Sequence, residues 1–298
     1  MSEQLPDSAE EIEKIARTLL LKAKAFGVFP TPVDRIIREA ELSLAKGVDL
    51  SKAEAGFFVK TAHFFGQISR KVLGLIDFGA QTIYLDETQP ERRKNFVKLH
   101  EVGHGVLPWQ EQLLGCRDDE LTIVAEITEL YEREASIFAS DVLFQLERFE
   151  EEVGKLPLAI RSARAIGSKF GGSVHAAMRR YVERSPKRCA LLVLNRPDGT
   201  EPFRAGVRNY FQSVPFEKAF GELAWPNECG LEYQFVQDIR FRRKDHQDGQ
   251  IGVATRDLEY LTLKYHFFDS TYNIFVFLFP PGEKIVSRVT IVPVGNGR

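Results

Sequence analysis

The amino-acid sequence predicts an α+β protein, in which a mostly helical domain with a small β-sheet precedes a β-rich C-terminal domain. Apolar residues recur with helical spacing through most of the first half, a short β-prone stretch interrupts them, and strand-like segments follow Lys187. The chain has 298 residues, of which 44% are hydrophobic and 28% charged, which is typical of a globular protein long enough for two domains.

The N-terminal elements begin with two predicted helices and a small sheet. Helical periodicity extends from Ser8 to Phe26, and a second helix follows Thr31 with Pro32 inside its first turn. Between Gly66 and Leu85, short β-prone runs are separated by glycine and aspartate, which predicts the small sheet.

Two longer helices and a shorter pair follow this sheet. Pro90 introduces a helix that extends to Leu107, where Pro108 ends it. A second long helical pattern covers Leu121 to Phe149, and two short helices flank Gly171 and its neighbouring glycine.

The C-terminal third changes in kind, because its apolar segments are short and strand-like. The predicted strands are Ala190 to Leu194, Tyr233 to Arg242, Leu258 to Phe268 and Tyr272 to Phe279. With a boundary near Ser185, we expect a domain at 1–150, a helix-turn-helix-like segment at 151–185 and a β-rich regulatory or sensor domain at 186–298.

The cysteines and the apolar segments indicate the cellular compartment of the protein. The three cysteines (Cys116, Cys189 and Cys229) are far apart and lack C-x-x-C spacing, which favours a reducing environment. The first residues are polar and acidic, unlike a signal peptide, and the apolar run from Ile274 to Phe279 is too short to span a bilayer. We therefore expect a cytoplasmic protein without a membrane partner, and the net charge of −2 specifies no other partner.

The stretch NFVKLHEVGHGVLPW contains an H-E-x-x-H pattern on a predicted helix. His100 and His104 lie four residues apart, so their side chains share one helix face and both imidazoles can reach one ion. Zinc accepts such neutral imidazoles, and the intervening Glu101 is placed to act as general base toward a zinc-activated water.

Two histidines do not complete a catalytic zinc site, which usually has three protein ligands. In the longer pattern H-E-x-x-H-x-x-G-x-x-H the last two defined positions would be Leu107 and Gln110, so that version is excluded. The remaining possibility is an acidic third ligand from a following helix. The candidates are Asp118, Asp119, Glu120, Glu126, Glu129, Glu132 and Glu134.

Glu132 is the preferred third ligand, because it shares a helix face with small residues that would let two helices lie close together. That face contains Thr128, Ala135, Ser136 and Ala139. Glu134 falls on a different face with bulkier neighbours and is the alternative ligand.

The run IYLDETQPERRKNFVKLHEVGH followed by EREASIFASDVLF resembles the ImmA/IrrE family of metallopeptidases, as does the upstream TPVDRIIREAELSL. The resemblance covers roughly Thr31 to Glu183 and implies a zincin-like domain with Glu132 as the third metal ligand. Two positions depart from the family pattern, because its asparagine is Ser136 here and its closing proline is Gln145.

The resemblance also implies a function. It implies a zinc-dependent intracellular endopeptidase, with Mn²⁺ or another divalent metal as the alternative ion. Its protein substrate would be a helix-turn-helix transcriptional repressor, cleaved in a stress or signal response. The competing interpretation is a DNA-binding or ligand-sensing transcriptional regulator whose metal site is not catalytic.

A basic segment accounts for the DNA-binding alternative. Residues 155–188 contain nine Lys or Arg and only one acidic residue, Glu183, and they form the helix pair around Gly171. A helix-turn-helix could contact phosphates in this way. We prefer a structural helix pair with solvated charges, and we interpret His175 as structural in preference to an oxyanion stabiliser.

Overall fold

The computed structural model describes residues 6–45, 74–110, 125–197, 199, 201–270 and 272–283. The chain divides into two compact units. The N-terminal unit comprises Glu3–Phe149 and Gly167–Ser173, and the C-terminal unit consists mainly of Glu150–Ile166 and Val174–Arg298.

The N-terminal unit is mostly helical with a small sheet. Its helices are α1 (Ala9–Lys22), α2 (Val33–Glu39), α3 (Glu91–Val106) and α4 (Ala125–Leu143). Its strands are β1 (Ser43–Leu44), β2 (Gly74–Asp77) and β3 (Thr82–Leu85). The sheet order is β1-β3-β2, with β1 parallel and β2 antiparallel to β3.

Helix α3 lies between two prolines, which fixes its length. It follows Pro90, whose missing N–H costs nothing at a helix start, and it ends before Leu107 and Pro108. The predicted helix from Leu121 to Phe149 is shorter in the structure, because α4 ends at Leu143 and the chain then turns through left-handed backbone at Gln145 (φ 52°).

Three helices follow α4, namely α5 (Glu147–Gly154), α6 (Ile160–Phe170) and α7 (Val174–Glu183). The two glycines between α6 and α7 allow a tight turn, since Gly171 has φ +80°. The boundaries between the two units fall within α5, within α6 and directly before α7.

The C-terminal unit contains a six-stranded antiparallel sheet with the order β6-β5-β4-β9-β8-β7. Its elements in chain order are β4 (Ala190–Asn195), β5 (Ala205–Gln212), α8 (Val214–Phe220), β6 (Glu228–Cys229), α9 (Gln234–Arg240), β7 (Asp245–Ala254), β8 (Tyr260–Asp269) and β9 (Asn273–Phe279).

Both faces of this sheet are covered at its centre, since every residue of β9 is buried. On one face, Leu192 and Val276 belong to a core that also contains Phe216 of α8 and Phe235 of α9. On the other face, Tyr181 of α7 packs its ring 5.8 Å from that of Phe277. The central strands are therefore continuous apolar runs instead of alternating ones.

The predicted α+β class, a mostly helical domain with a small sheet followed by a β-rich region, is confirmed. One predicted strand is wrong, because Tyr233 to Arg242 forms α9. Its buried residues Phe235, Val236 and Ile239 have helical spacing, which outweighs the β-propensity of the segment. No helix in the described ranges is both long and apolar enough to cross a membrane.

Candidate metal centre

The two histidines of the H-E-x-x-H pattern face each other on α3. His100 and His104 lie one helical turn apart, and their Nε2 atoms are separated by 3.1 Å. Their side chains are 15% and 2% exposed, so His104 lies deeper in the unit. The helical spacing thus brings both Nε2 atoms to one place, as the sequence predicted.

Helix α4 brings Glu132 to the same place. Its Oε2 lies 3.2 Å from His100 Nε2, and its Oε1 lies 3.6 Å from His104 Nε2. One ligand atom from each of the three side chains lies within 4.8 Å of the others. The structure therefore brings together the three residues that the sequence selected as metal ligands.

Close approach of α3 and α4 explains why Glu132 can reach the histidines. A Cβ added at Gly103 would lie 3.2 Å from the backbone Cα of Ala135 and 3.1 Å from the Phe138 ring. Small residues on both helices, as the sequence suggested for α4, therefore let the two helices pack closely.

The separations fit a single ion. Two ligand atoms bound at 2.0–2.1 Å to a tetrahedral zinc ion are about 3.4 Å apart. The two Nε2 atoms are 3.1 Å apart, and Glu132 approaches them with its two oxygens, Oε2 at 3.2 Å from His100 and Oε1 at 3.6 Å from His104. Two imidazoles and one carboxylate are also a usual ligand set of catalytic zinc.

The three side chains also stabilise one another's charges. Burial would raise the pKa of Glu132, but hydrogen bonds from His100 and His104 outweigh it and lower the pKa to about 2. Burial likewise works against a charged His104, yet the hydrogen bond to Glu132 and the charge of Glu101 raise its pKa above the ordinary value. Glu132 is therefore a carboxylate at neutral pH, the form that binds metal.

Glu101 is buried beside this cluster and is only 7% exposed. Burial raises the pKa of Glu101 despite the opposing effect of the two neighbouring histidines, which makes its carboxylate a better proton acceptor. Strand β2 leaves room for it, because a Cβ at Gly74 would lie 2.8 Å from Glu101 Oε1.

Glu134, the alternative ligand in the sequence analysis, faces a different set of partners. Its Oε2 accepts hydrogen bonds from Trp109 Nε1 and Gln110 Nε2, each at 2.7 Å, and its Oε1 accepts one from the Ser8 hydroxyl. Both of its oxygens are therefore engaged away from the histidines.

Sequence reasoning overlooked Gln110, whose Oε1 lies 2.7 Å from His104 Nδ1. The residue was considered only as a position where a longer zinc motif would have a histidine. Its signal in the sequence is an amide six residues after His104 and two residues after Pro108. For His100, the corresponding Nδ1 contact is the Ser136 hydroxyl at 3.3 Å.

Of the remaining candidate acids, the structure describes the side chain of Glu129 alone. Glu129 is exposed on α4. Asp118, Asp119 and Glu120 lie outside the described residues, as does the side chain of Glu126.

His175 lies in the C-terminal unit, where its ring packs against Phe211 and Phe275 of the large sheet. Burial and the charges of Arg208 and Arg179 lower the pKa of His175 to about 4. Its surroundings are those of a neutral core histidine.

The basic segment 155–188 distributes its charges among different partners. The Arg164 guanidinium lies 3.7 Å from the centroid of the Phe268 ring. Arg179 pairs with Glu183 at 2.8 Å, and Arg180 is buried. These side chains therefore contribute to packing of the helix pair within the C-terminal unit.

A protein family model matches the part of the chain that contains the H-E-x-x-H pattern. Residues 60–181 match the family model of the IrrE N-terminal-like domain, Peptidase_M78. No curated protein matches this chain.

Solved structures include a similar chain described as a Mycobacterium tuberculosis transcriptional regulator. It has a TM-score of 0.52 and 11% sequence identity, and the match covers 90% of this chain and 86% of that one. At this identity the similarity shows a shared fold.

Proposed function

Because residues 60–181 match the IrrE N-terminal-like domain, we propose that the chain is a zinc-dependent endopeptidase of the IrrE/ImmA-like family. The observation that carries this proposal is the geometry of His100, His104 and Glu132, whose ligand atoms are spaced for one tetrahedral ion next to a buried carboxylate.

Each residue has a distinct role in the proposed reaction. His100, His104 and Glu132 hold the metal, with Zn²⁺ as the proposed ion and Mn²⁺ as the alternative. A bound Zn²⁺ supplies a Lewis acid that acidifies water and polarises the scissile carbonyl. Glu101 accepts the proton of the attacking water on its carboxylate and delivers it to the leaving amine nitrogen.

The proposed substrate is a helix-turn-helix transcriptional repressor, cleaved in the cytoplasm during a stress or signal response. This part rests on the family resemblance. Cys189 and Cys229 are buried free thiols, which is compatible with a reducing compartment. We further propose that residues 1–150 form the peptidase domain, and that the β-rich region at 186–298 regulates it or selects substrate.

Four variants test the catalytic proposal. Glu101→Gln is nearly isosteric, so it should retain zinc while cleavage falls by about 10²–10⁴-fold, the usual contribution of a general base. His104→Ala and Glu132→Ala should lose much of the zinc, because two ligands form a poor site. Glu129→Ala is the matched control, since Glu129 is exposed on the same helix as Glu132.

Zinc is measured by elemental analysis of the purified full-length chain. Cleavage is measured by mass spectrometry on purified helix-turn-helix repressors from the same organism. A Glu101→Gln protein with undiminished cleavage would contradict the mechanism, and a folded wild type that binds no divalent metal would contradict the site.

The alternative function is a DNA-binding regulator with a non-catalytic metal site. It is suggested by the similarity in fold to the Mycobacterium tuberculosis transcriptional regulator. It predicts DNA binding that weakens steeply with salt and is indifferent to Glu101→Gln. The packing of Arg164 on Phe268 and the burial of Arg180 favour the peptidase, because these two side chains are engaged within the C-terminal unit.

A further inference from the structure

The inner ring nitrogen of His104 is connected to a chain of buried hydrogen bonds. Gln110 is fully buried, and its Oε1 lies 2.7 Å from His104 Nδ1. On the other side of the amide, Gln110 Nε2 donates to Glu134 Oε2 at 2.7 Å and to the Tyr131 carbonyl at 3.2 Å. This series of hydrogen bonds begins at Nδ1, the ring nitrogen of His104 that does not face the metal cluster.

The partners of the amide determine its orientation. A carboxylate and a main-chain carbonyl only accept hydrogen bonds, so the nitrogen of Gln110 must point toward Glu134 and Tyr131. Its oxygen must then face His104. Because that oxygen only accepts, His104 presents an Nδ1–H to it, so Nε2 is the nitrogen whose proton a metal ion displaces.

Glu134 is held firmly enough to fix this chain. It is 3% exposed, and it accepts from Trp109 at 2.7 Å and from the Ser8 hydroxyl besides Gln110. An acceptor-only group with three donors is the anchor of the network, since none of these hydrogen bonds can reverse direction while Glu134 is ionised.

We infer that Gln110, anchored by Glu134, is a positioning residue that fixes His104 as the Nδ1–H tautomer and so directs its Nε2 lone pair at the metal. This inference rests on the proposed metal centre and adds the residues that prepare it. For His100, the Nδ1 partner among the described residues is the Ser136 hydroxyl at 3.3 Å, which can either donate or accept and so does not select a tautomer.

The expected size of the effect follows from outer-shell partners of metal-bound histidines. Removing such a partner typically lowers metal affinity by 10–100-fold. Gln110→Met keeps the length of the side chain and removes both polar groups. We expect it to weaken zinc binding by about that factor, measured by competition with a chromophoric chelator on the full-length protein.

Gln145→Met is the matched control. Gln145 is also fully buried in the N-terminal unit, and its amide bonds to Gly27 N, Val28 O and Thr31 Oγ1, away from the histidines. The Gln145→Met variant loses a buried amide just as Gln110→Met does. We expect its zinc affinity to stay close to wild type, whatever happens to its thermal stability.

A pair of variants at Glu134 separates positioning from packing. In Glu134→Gln, the amide oxygen in the place of Oε2 still accepts from Gln110 and Trp109, and the amide nitrogen can donate to the Ser8 hydroxyl. This variant should keep a zinc affinity close to wild type, whereas Glu134→Met should weaken zinc binding as Gln110→Met does. Gln110→Met binding zinc like wild type, or Glu134→Gln binding it as weakly as Glu134→Met, would overturn the inference.

A measurement on the wild type keeps the test decisive if the variants fold poorly. Nitrogen-15 NMR of the histidines in zinc-loaded protein should show His104 bound through Nε2 with its proton on Nδ1, identified by its loss in His104→Ala. The Nε2–H tautomer would overturn the inference. A wild type that binds no zinc would overturn the proposed function as well, whereas zinc binding and cleavage with the wrong tautomer would overturn only the role of Gln110.

Discussion

Gly103→Ala should weaken zinc binding although the residue contacts no ligand atom. The added Cβ would lie 3.1 Å from Phe138 Cδ1, 3.2 Å from Ala135 Cα and 3.3 Å from the Ala135 carbonyl oxygen. Two of these atoms belong to the backbone of α4, which cannot rotate away as a side chain can. Helices α3 and α4 must therefore separate by a few tenths of an ångström.

The change in folding stability follows from two opposing effects. Alanine favours the helix by about 1 kcal/mol over glycine, whereas overpacking costs about 1–3 kcal/mol. Folding stability should therefore change little or fall by up to about 2 kcal/mol. The metal site is more sensitive, because ligand distances tolerate only about 0.2 Å, so we expect zinc affinity to fall about tenfold, or about 1.4 kcal/mol.

Gly105→Ala is the control on the same helix. Its Cβ would meet the ends of flexible side chains, Ile76 Cδ1 at 2.9 Å and Leu42 Cδ1 at 3.2 Å, and it gains the same helix propensity. Zinc affinity by chelator competition and thermal unfolding with and without zinc compare the two variants. If Gly103→Ala binds zinc as tightly as Gly105→Ala and wild type, the close approach of α3 and α4 does not control the site.

Three further predictions concern other parts of the chain. Gly74→Ala should reduce peptide cleavage and retain zinc, because its Cβ would lie 2.8 Å from Glu101 Oε1; unchanged kcat would contradict this. Burial lowers the pKa of His266 from 6.5 to about 4, so the stability due to the neutral ring is present above about pH 6.5 and is lost as pH falls toward 4. Urea unfolding between pH 7 and 4.5 measures this pH dependence, which is at most about 1.4 kcal/mol per pH unit. We expect His266→Phe to remove it. An unchanged pH profile in the variant would assign the dependence to other groups. Asp238→Asn should destabilise the C-terminal unit by about 1–3 kcal/mol, since the buried carboxylate accepts from Tyr265 at 2.7 Å and Arg243 at 2.9 Å; an unchanged urea midpoint would argue against this.

The part of the site that depends on one helix could be predicted from sequence. The placement of His100 and His104 follows from the helical repeat alone, and two prolines fix the helix that carries them. The position of Glu132 needed one more step, because small residues on its face indicated that α4 would pack closely on α3. Both arguments use local periodicity, which sequence records directly.

The rest of the site depends on contacts between distant residues. Ser8 and Trp109 meet Glu134 across long stretches of chain, and no spacing rule connects them. The segment that forms α9 was wrongly predicted as a strand for a different reason, because the helix is only seven residues long and rich in β-prone side chains. Short elements are decided by tertiary packing instead of by local propensity.

The departure at Gln145 shows how this chain can lose the closing proline of the family pattern without disturbing the site. Gln145 has φ 52°, which the proline ring cannot adopt. Its side chain accepts from Gly27 N at 2.7 Å and donates to Val28 O at 2.7 Å and Thr31 Oγ1 at 2.9 Å. The end of α4 is therefore fixed by hydrogen bonds to the loop before α2, where a proline would restrict the backbone directly. Because Glu132 lies three turns earlier on the same helix, this attachment holds α4 in place without contacting a ligand.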